Sequence, residues 1–207
     1  AAAGVDVGGA DRNGGVCCGR PMRLSGNLPA AKKMQDYNTE LFRKHHITTL
    51  VTGCPICYKS FTEEYGELQK TGIRVLHHTQ YIAELIAGGR LKTSVVQTSY
   101  AYHDPCELRG IYAEPRYVLS HVATLTNAES REKDRVHCCG GSLANLALDT
   151  AAQTKIGTTV VRNLLATGAE TIVTSCPQCK KSLQRSAGND RTRVVDIAEA
   201  GAGAGGG

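Results

Sequence analysis

The chain has 207 residues, 41% of them apolar, with 24 Lys and Arg against 19 Asp and Glu for a net charge of +5. That is enough for one large or two small cores, which excludes a disordered chain and a disulfide-stapled miniprotein. The mild charge excess forms no basic block and two Phe without Trp offer few platforms for bases, which argues against a nucleic-acid partner; no apolar run is long enough to span a membrane, and residues 1–9 lack the flanks of a signal peptide.

In chain order, Cys17-Cys18-Gly19 precedes a helix predicted over 29–44, where Ala30, Met34, Tyr37 and Leu41 recur at helical spacing behind a capping Asn27. A strand over 47–52 runs into Cys54-Pro55-Ile56-Cys57, with proline where a first helical turn tolerates it, so this motif marks a strand-to-helix switch with Lys59 further along the helix. A strand over 73–76, a helix over 79–87 and the Gly88-Gly89 boundary follow. Next come a strand over 95–102, His103-Asp104-Pro105-Cys106 at another expected helix start, and a helix near 115–121. Cys138-Cys139-Gly140 then leads to a helix carrying Ile156, Val160 and Leu164, stopped by Gly168. A strand over 171–174, Cys176-Pro177-Gln178-Cys179 with Lys180 and Lys181, and a strand over 193–195 complete the pattern.

Residues 17–86 and 138–197 read alike: 35 residues separate Cys18 from Cys54 and 36 separate Cys139 from Cys176. Alternating strands and helices predict an α/β fold, a tandem pseudo-twofold repeat of two Rossmann-like βαβ domains with parallel sheets and cysteines at the strand carboxyl ends. The expected domains are 1–90, lacking its opening strand and leading cysteine, and 91–207, complete. Cys106 is separated from Cys138 by 31 residues, so its equivalent in the first copy would fall before residue 1, and the chain is expected to begin inside a repeat. The Gly/Ala-rich ends are expected to be poorly ordered or truncated.

Nine cysteines cannot all pair, and a disulfide between neighbours such as Cys17 and Cys18 would strain the backbone. Reduced thiols at motif spacings are metal ligands or redox groups. Ends of parallel strands converge on one sheet edge, and helix amino termini there favour thiolate. Up to five thiolates in one copy suit an iron–sulfur cluster better than a four-ligand zinc, with zinc or a dithiol as alternatives. His45, His46 and His121 fall at helix ends, where they cap. His77 and His78 fall at a strand end on the cysteine side, where lining a cleft is one reading. Lys59, Lys180 and Lys181 offset cluster charge or are solvated, and Arg20, Arg23 and Arg109 bind an anionic substrate or lie on the surface.

One cysteine, some thirty residues, Cys-Cys-Gly, 35 or 36 residues and Cys-x-x-Cys resembles the cysteine-rich CCG domain of the catalytic subunits of heterodisulfide reductase. The resemblance covers 16–200, with Cys106, Cys138, Cys139, Cys176 and Cys179 a complete set and Cys17, Cys18, Cys54 and Cys57 an incomplete one. Cys54-Pro-Ile-Cys-Tyr-Lys-Ser and His103-Asp-Pro-Cys106-Glu-Leu look closest to a subunit joining ferredoxin-like and CCG regions. The resemblance implies a noncubane 4Fe-4S cluster on a complete motif and two clusters in the chain, facing a shared cleft, with an ordinary cubane or a zinc as the alternative on the incomplete set. The implied activity is reductive scission of a disulfide such as coenzyme M linked to coenzyme B, with His103 and His137, beside ligands, as proton donors. Related subunits instead relay electrons between a flavoprotein dehydrogenase and a quinone pool, and a zinc-stabilised scaffold is the third alternative. With no dinucleotide fingerprint in the chain, the implied partners are redox subunits: a flavoprotein, a ferredoxin-like protein, or a membrane subunit reacting with quinone or methanophenazine. A cytoplasmic location is expected, or attachment at the inner membrane surface through such a partner.

Overall fold

A computed structural model describes residues 3–6, 8, 16–126, 137–145, 147–188 and 192–202. Contacts divide the chain into two units, Ala1–His78 and Thr79–Gly207.

The first unit holds α1 (Arg20–Leu24), α2 (Leu28–Lys44), β1 (Thr49–Thr52), α3 (Pro55–Lys59), a π-helical turn (Ser60–Glu64), α4 (Gly66–Gln69) and β2 (Arg74–His77). Asn27 caps α2, its Oδ1 accepting the Ala30 N–H at 3.2 Å, and Pro29 sits in the first turn, where no amide hydrogen is required. β1 and β2 are parallel, Thr49 opposite Arg74 and Thr52 opposite His77. Phe42, Phe61, Tyr65 and Leu68 pack with Cys18 in one core, joined by Leu50 and Val75 from the inner sheet face, while Val51 on the outer face of β1 is 40% exposed.

The second unit holds α5, which begins at the junction residue (His78–Ala87), β3 (Val96–His103), α6 (Ala113–Ser120), β4 (Ala123–Leu125), a 3₁₀ turn (Leu143–Asn145), α7 (Thr150–Leu165), β5 (Thr171–Thr174), α8 (Pro177–Ala187), β6 (Arg193–Asp196) and α9 (Ile197–Ala202). The sheet order is β4-β3-β5-β6, with every pairing parallel. Strand alternation supplies two cores. Val173 points to a core with Tyr100, Tyr102, Val118, Leu119, Ile197 and Ala83 of α5; Ile172 points to another with Val160, Val161, Leu183 and Val194. The apolar side of α5 therefore packs with the second unit, and the contact division falls at residue 78 rather than at the glycine pair.

The edge strand β6 is closed by side chains. Gln184 of α8 accepts the Val194 N–H at 3.0 Å and donates to the Thr192 carbonyl at 3.1 Å, as a neighbouring strand would. Glu199 accepts the Asp196 N–H at 2.7 Å and pairs with Lys180. No described helix is long and apolar enough to cross a membrane.

One expected helix start is absent. Residues 104–112 form successive turns, closed by Leu108 N–H to the Pro105 carbonyl and Ile111 N–H to the Leu108 carbonyl, and α6 begins only at Ala113. Both Asp104 carboxylate oxygens are taken by Arg116 at 2.7 Å, so the side chain cannot cap a helix, and Gly110 turns the chain with φ +86°.

Candidate metal centre

Each unit brings its cysteines to the carboxyl ends of its strands, and the local devices match. Cys54 and Cys176 end the loops after β1 and β5 and occupy the N-cap positions of α3 and α8, with Pro55 and Pro177 in the first turns. Cys176 Sγ accepts the Cys179 N–H at 3.5 Å, so the helix start that favours negative charge faces the sulfur. Gly19 and Gly140 follow the adjacent pairs at φ +84° and +86°. A Cβ on Gly19 would lie 3.0 Å from the Ala31 carbonyl oxygen, and one on Gly140 would overlap the Gln153 carbonyl outright, so each glycine lets its turn press against the long helix.

The second cysteine of each pair is fixed through its carbonyl. Ser182 Oγ donates to the Cys139 carbonyl at 2.7 Å, and Ser60, at the same offset from its motif, donates to the Cys18 carbonyl at 3.4 Å. The first unit adds Tyr65, whose hydroxyl donates to the same carbonyl at 2.9 Å while accepting from Asn38 Nδ2 at 3.0 Å; Asn38 also donates to the Cys17 carbonyl at 3.2 Å.

The thiols of each set act on one another. In the first unit, interaction with the Cys57 thiol lowers Cys18 to about 6 and Cys54 to about 7, while Cys57 itself, set against both of these sulfurs and buried, is pushed far up. In the second, bonds from Cys106 and Cys139 pull Cys138 down to about 2, and donation to Cys138 raises Cys106. Donation to Cys138 also raises Cys139 to about 11, and bonds to Cys139 and Cys176 together with burial raise Cys179. Cys138 Sγ further accepts from the Gly140 N–H and Asn145 Nδ2, each at 3.4 Å. The contacts thus link Cys106, Cys138, Cys139, Cys179 and Cys176, and separately Cys17, Cys18, Cys57 and Cys54. Among the described residues, His103, Cys139 and Cys179, all buried, form a group able to hold a metal ion, their ligand atoms within 4.8 Å of one another. Such a set of soft thiolates and one imidazole suits zinc or iron.

The remaining candidates divide by environment. Burial lowers His103 to about 4, whereas His137 is exposed. His77, fully buried at the end of β2, packs beside His78 and Tyr58. His45 and His46 follow α2, and His121 caps α6 with Nδ1 2.8 Å from the Tyr117 carbonyl. Arg20 pairs with Glu64 at 2.6 Å and Arg23 lies 3.6 Å from the same carboxylate, so both face a protein anion; Arg109 and Lys181 are exposed, and Lys59 is half-buried. The pairing of Asp104 with Arg116 carried no sequence signal: with the guanidinium 5.3 Å from the Tyr102 ring centroid, it anchors the loop leading to Cys106.

Parallel strands ending in two thiol-rich sets, one with a group able to hold a metal ion, define a cysteine-rich α/β protein. The family model described as "Cysteine-rich domain" (CCG) matches residues 2–62 and 100–184, more than half of the chain, which therefore belongs to the CCG family. Through it the chain is related to the heterodisulfide reductases. It is 29% identical over 197 residues to the D polypeptide of the dihydromethanophenazine:CoB–CoM heterodisulfide reductase of Methanosarcina barkeri, with 88% of this chain and 48% of that protein covered. Identity is also 29% to the EtfAB:quinone oxidoreductase of Syntrophomonas wolfei (88% of this chain, 28% of that protein). It is 31% to a probable membrane-anchored ferredoxin of Chromohalobacter salexigens (86% and 28%). The chain thus spans about half the length of the first and little more than a quarter of the other two.

Proposed function

We propose that the chain is the cysteine-rich part of an iron–sulfur oxidoreductase that reduces a disulfide of the coenzyme M–coenzyme B class, two electrons and two protons converting RSSR′ into RSH and R′SH. The observation that carries this is the gathering of five cysteines at one sheet edge, with the Cys139 and Cys179 sulfurs within 4.8 Å and Cys176 Sγ on the Cys179 amide, and with Cys106 and Cys138 acting on the same thiols, one sulfur more than a tetrahedral zinc uses. In this proposal that set holds a noncubane 4Fe-4S cluster and Cys17, Cys18, Cys54 and Cys57 hold the second. The copies are, in this proposal, a tandem pseudo-twofold pair of Rossmann-like domains, with the boundary at residue 78 in place of the glycine pair.

Bound clusters would supply single electrons and an iron that accepts a thiolate. The chain's own groups do the rest. The Cys179 and Gly140 amides stabilise negative sulfur, and Val160, Ile172 and Leu183 keep water from the buried side of the set. Arg116 holds Asp104 and with it the Cys106 loop. Of the two neighbouring histidines, exposed His137 is open to solvent for delivering a proton. Electrons come from a partner of the flavoprotein, ferredoxin-like or quinone- or methanophenazine-reactive kind, which also attaches an otherwise cytoplasmic protein to the membrane.

A second reading, an electron relay to quinone, draws support from the similarity to the EtfAB:quinone oxidoreductase. Anaerobic turnover of the heterodisulfide by the isolated complex with reduced viologen separates the two. Turnover that disappears in Cys139→Ala supports the reductase; quinone reduction without disulfide turnover supports the relay. A colourless chain with zinc and no sulfide would overturn both.

A further inference from the structure

β3 brings one more donor to the second cysteine set. His103 is its last residue, 4% exposed, and its carbonyl accepts from Thr174 Oγ1 at 3.1 Å. That bond and the β3–β5 register, which sets His103 opposite Thr174, fix the backbone from which the imidazole projects. Nε2 is buried and has no hydrogen-bond partner among the described residues. A buried polar atom in this condition is rare and needs an explanation such as an ion. The explanation is close by, because a ring nitrogen and the sulfurs of Cys139 and Cys179 lie within 4.8 Å of one another, as donors sharing one ion do.

We propose that His103 is a nitrogen ligand of the metal held by the second cysteine set. This rests on the reading that the set holds metal, and makes His103 a ligand rather than a proton donor. A donor needs a route to solvent, whereas this ring faces two sulfurs whose residues are 1% and 3% exposed. The first unit offers no equivalent among the described residues, since β1 pairs only with β2 and no strand stands where β3 stands beside β5. The two centres therefore differ in donor set.

X-ray absorption at the edge of the bound metal tests this on the anaerobically isolated complex, alongside iron, zinc and sulfide analysis. The wild type should show a light scatterer at ~2.0–2.1 Å beside sulfur at ~2.3 Å. His103→Ala and the similarly sized His103→Gln should lose that scatterer and keep the sulfur. A sulfur-only shell in the wild type overturns the inference whether or not the variants fold, as does a nitrogen shell that survives both substitutions, which would leave His103 as a hydrogen-bond donor at most. Zinc without sulfide would end the iron–sulfur reading while the nitrogen shell still decides the role of His103. A complex retaining no metal after reconstitution overturns both.

Discussion

Gly140 turns at φ +86° beneath the Gln153 carbonyl, so alanine there combines left-handed strain with a backbone overlap that no rotamer relieves. The substitution should cost about 3 kcal/mol or more, and Gly19→Ala, whose Cβ would sit 3.0 Å from its carbonyl, about 1–2 kcal/mol; denaturant midpoints of the two variants check the order. Equal losses would mean that α7 shifts to make room. The Arg116–Asp104 pair, each side chain about one-seventh exposed (14% and 15%), invites a paired test. Arg116→Met should destabilise by about 3 kcal/mol because the carboxylate is left without its partner, and Arg116→Met with Asp104→Asn by clearly less. A double variant no better than the single would show that the lost stacking on Tyr102 dominates. The sequence made the cysteines readable because their spacing is periodic. It hid the Arg116 clamp, a contact between residues twelve apart that follows no helical or strand period, and the Glu64 partner of Arg20 and Arg23, forty-odd residues away.

Gln184 substitutes for a missing strand along β6. Gln184→Ala should leave the Val194 amide with no acceptor from α8, so amide exchange there should accelerate while Ile172, inside the sheet, keeps its rate. Unchanged exchange at Val194 would show that the edge is covered in another way. At this scale, periodic segments were the legible ones. β5 falls on its expected span, Thr171–Thr174, and α2 starts one residue before its own. β4 escaped notice because three residues, Ala-Thr-Leu, are too few to display alternation, and it forms only as the outer neighbour of β3. The turns after His103 were misread as a helix start, since Asp-Pro is a capping signature and nothing in sequence announces that Arg116 has claimed the carboxylate.

Both units run from a long helix through a strand and a Cys-Pro-x-Cys helix to a parallel neighbouring strand, yet their motif helices differ. α8 continues unbroken for 11 residues, whereas α3 passes after five into the π turn, in which the Tyr65 N–H reaches back to the Ser60 carbonyl at 3.2 Å. One extra residue in a helical turn advances the phase of everything beyond it by ~100°. That offset aims the Tyr65 hydroxyl at the Cys18 carbonyl, leaving Ser60 where its counterpart Ser182 stands. The π turn and the tyrosine thus act as a matched pair, the turn setting the phase from which the hydroxyl reaches the carbonyl. Tyr65→Phe in the natural background should cost about 1 kcal/mol for the lost hydrogen bond. Once Thr62 is deleted, so that the helix regains its regular pitch, the same substitution should cost nothing further, because the hydroxyl no longer faces that carbonyl; full additivity in the unfolding midpoints would refute the coupling.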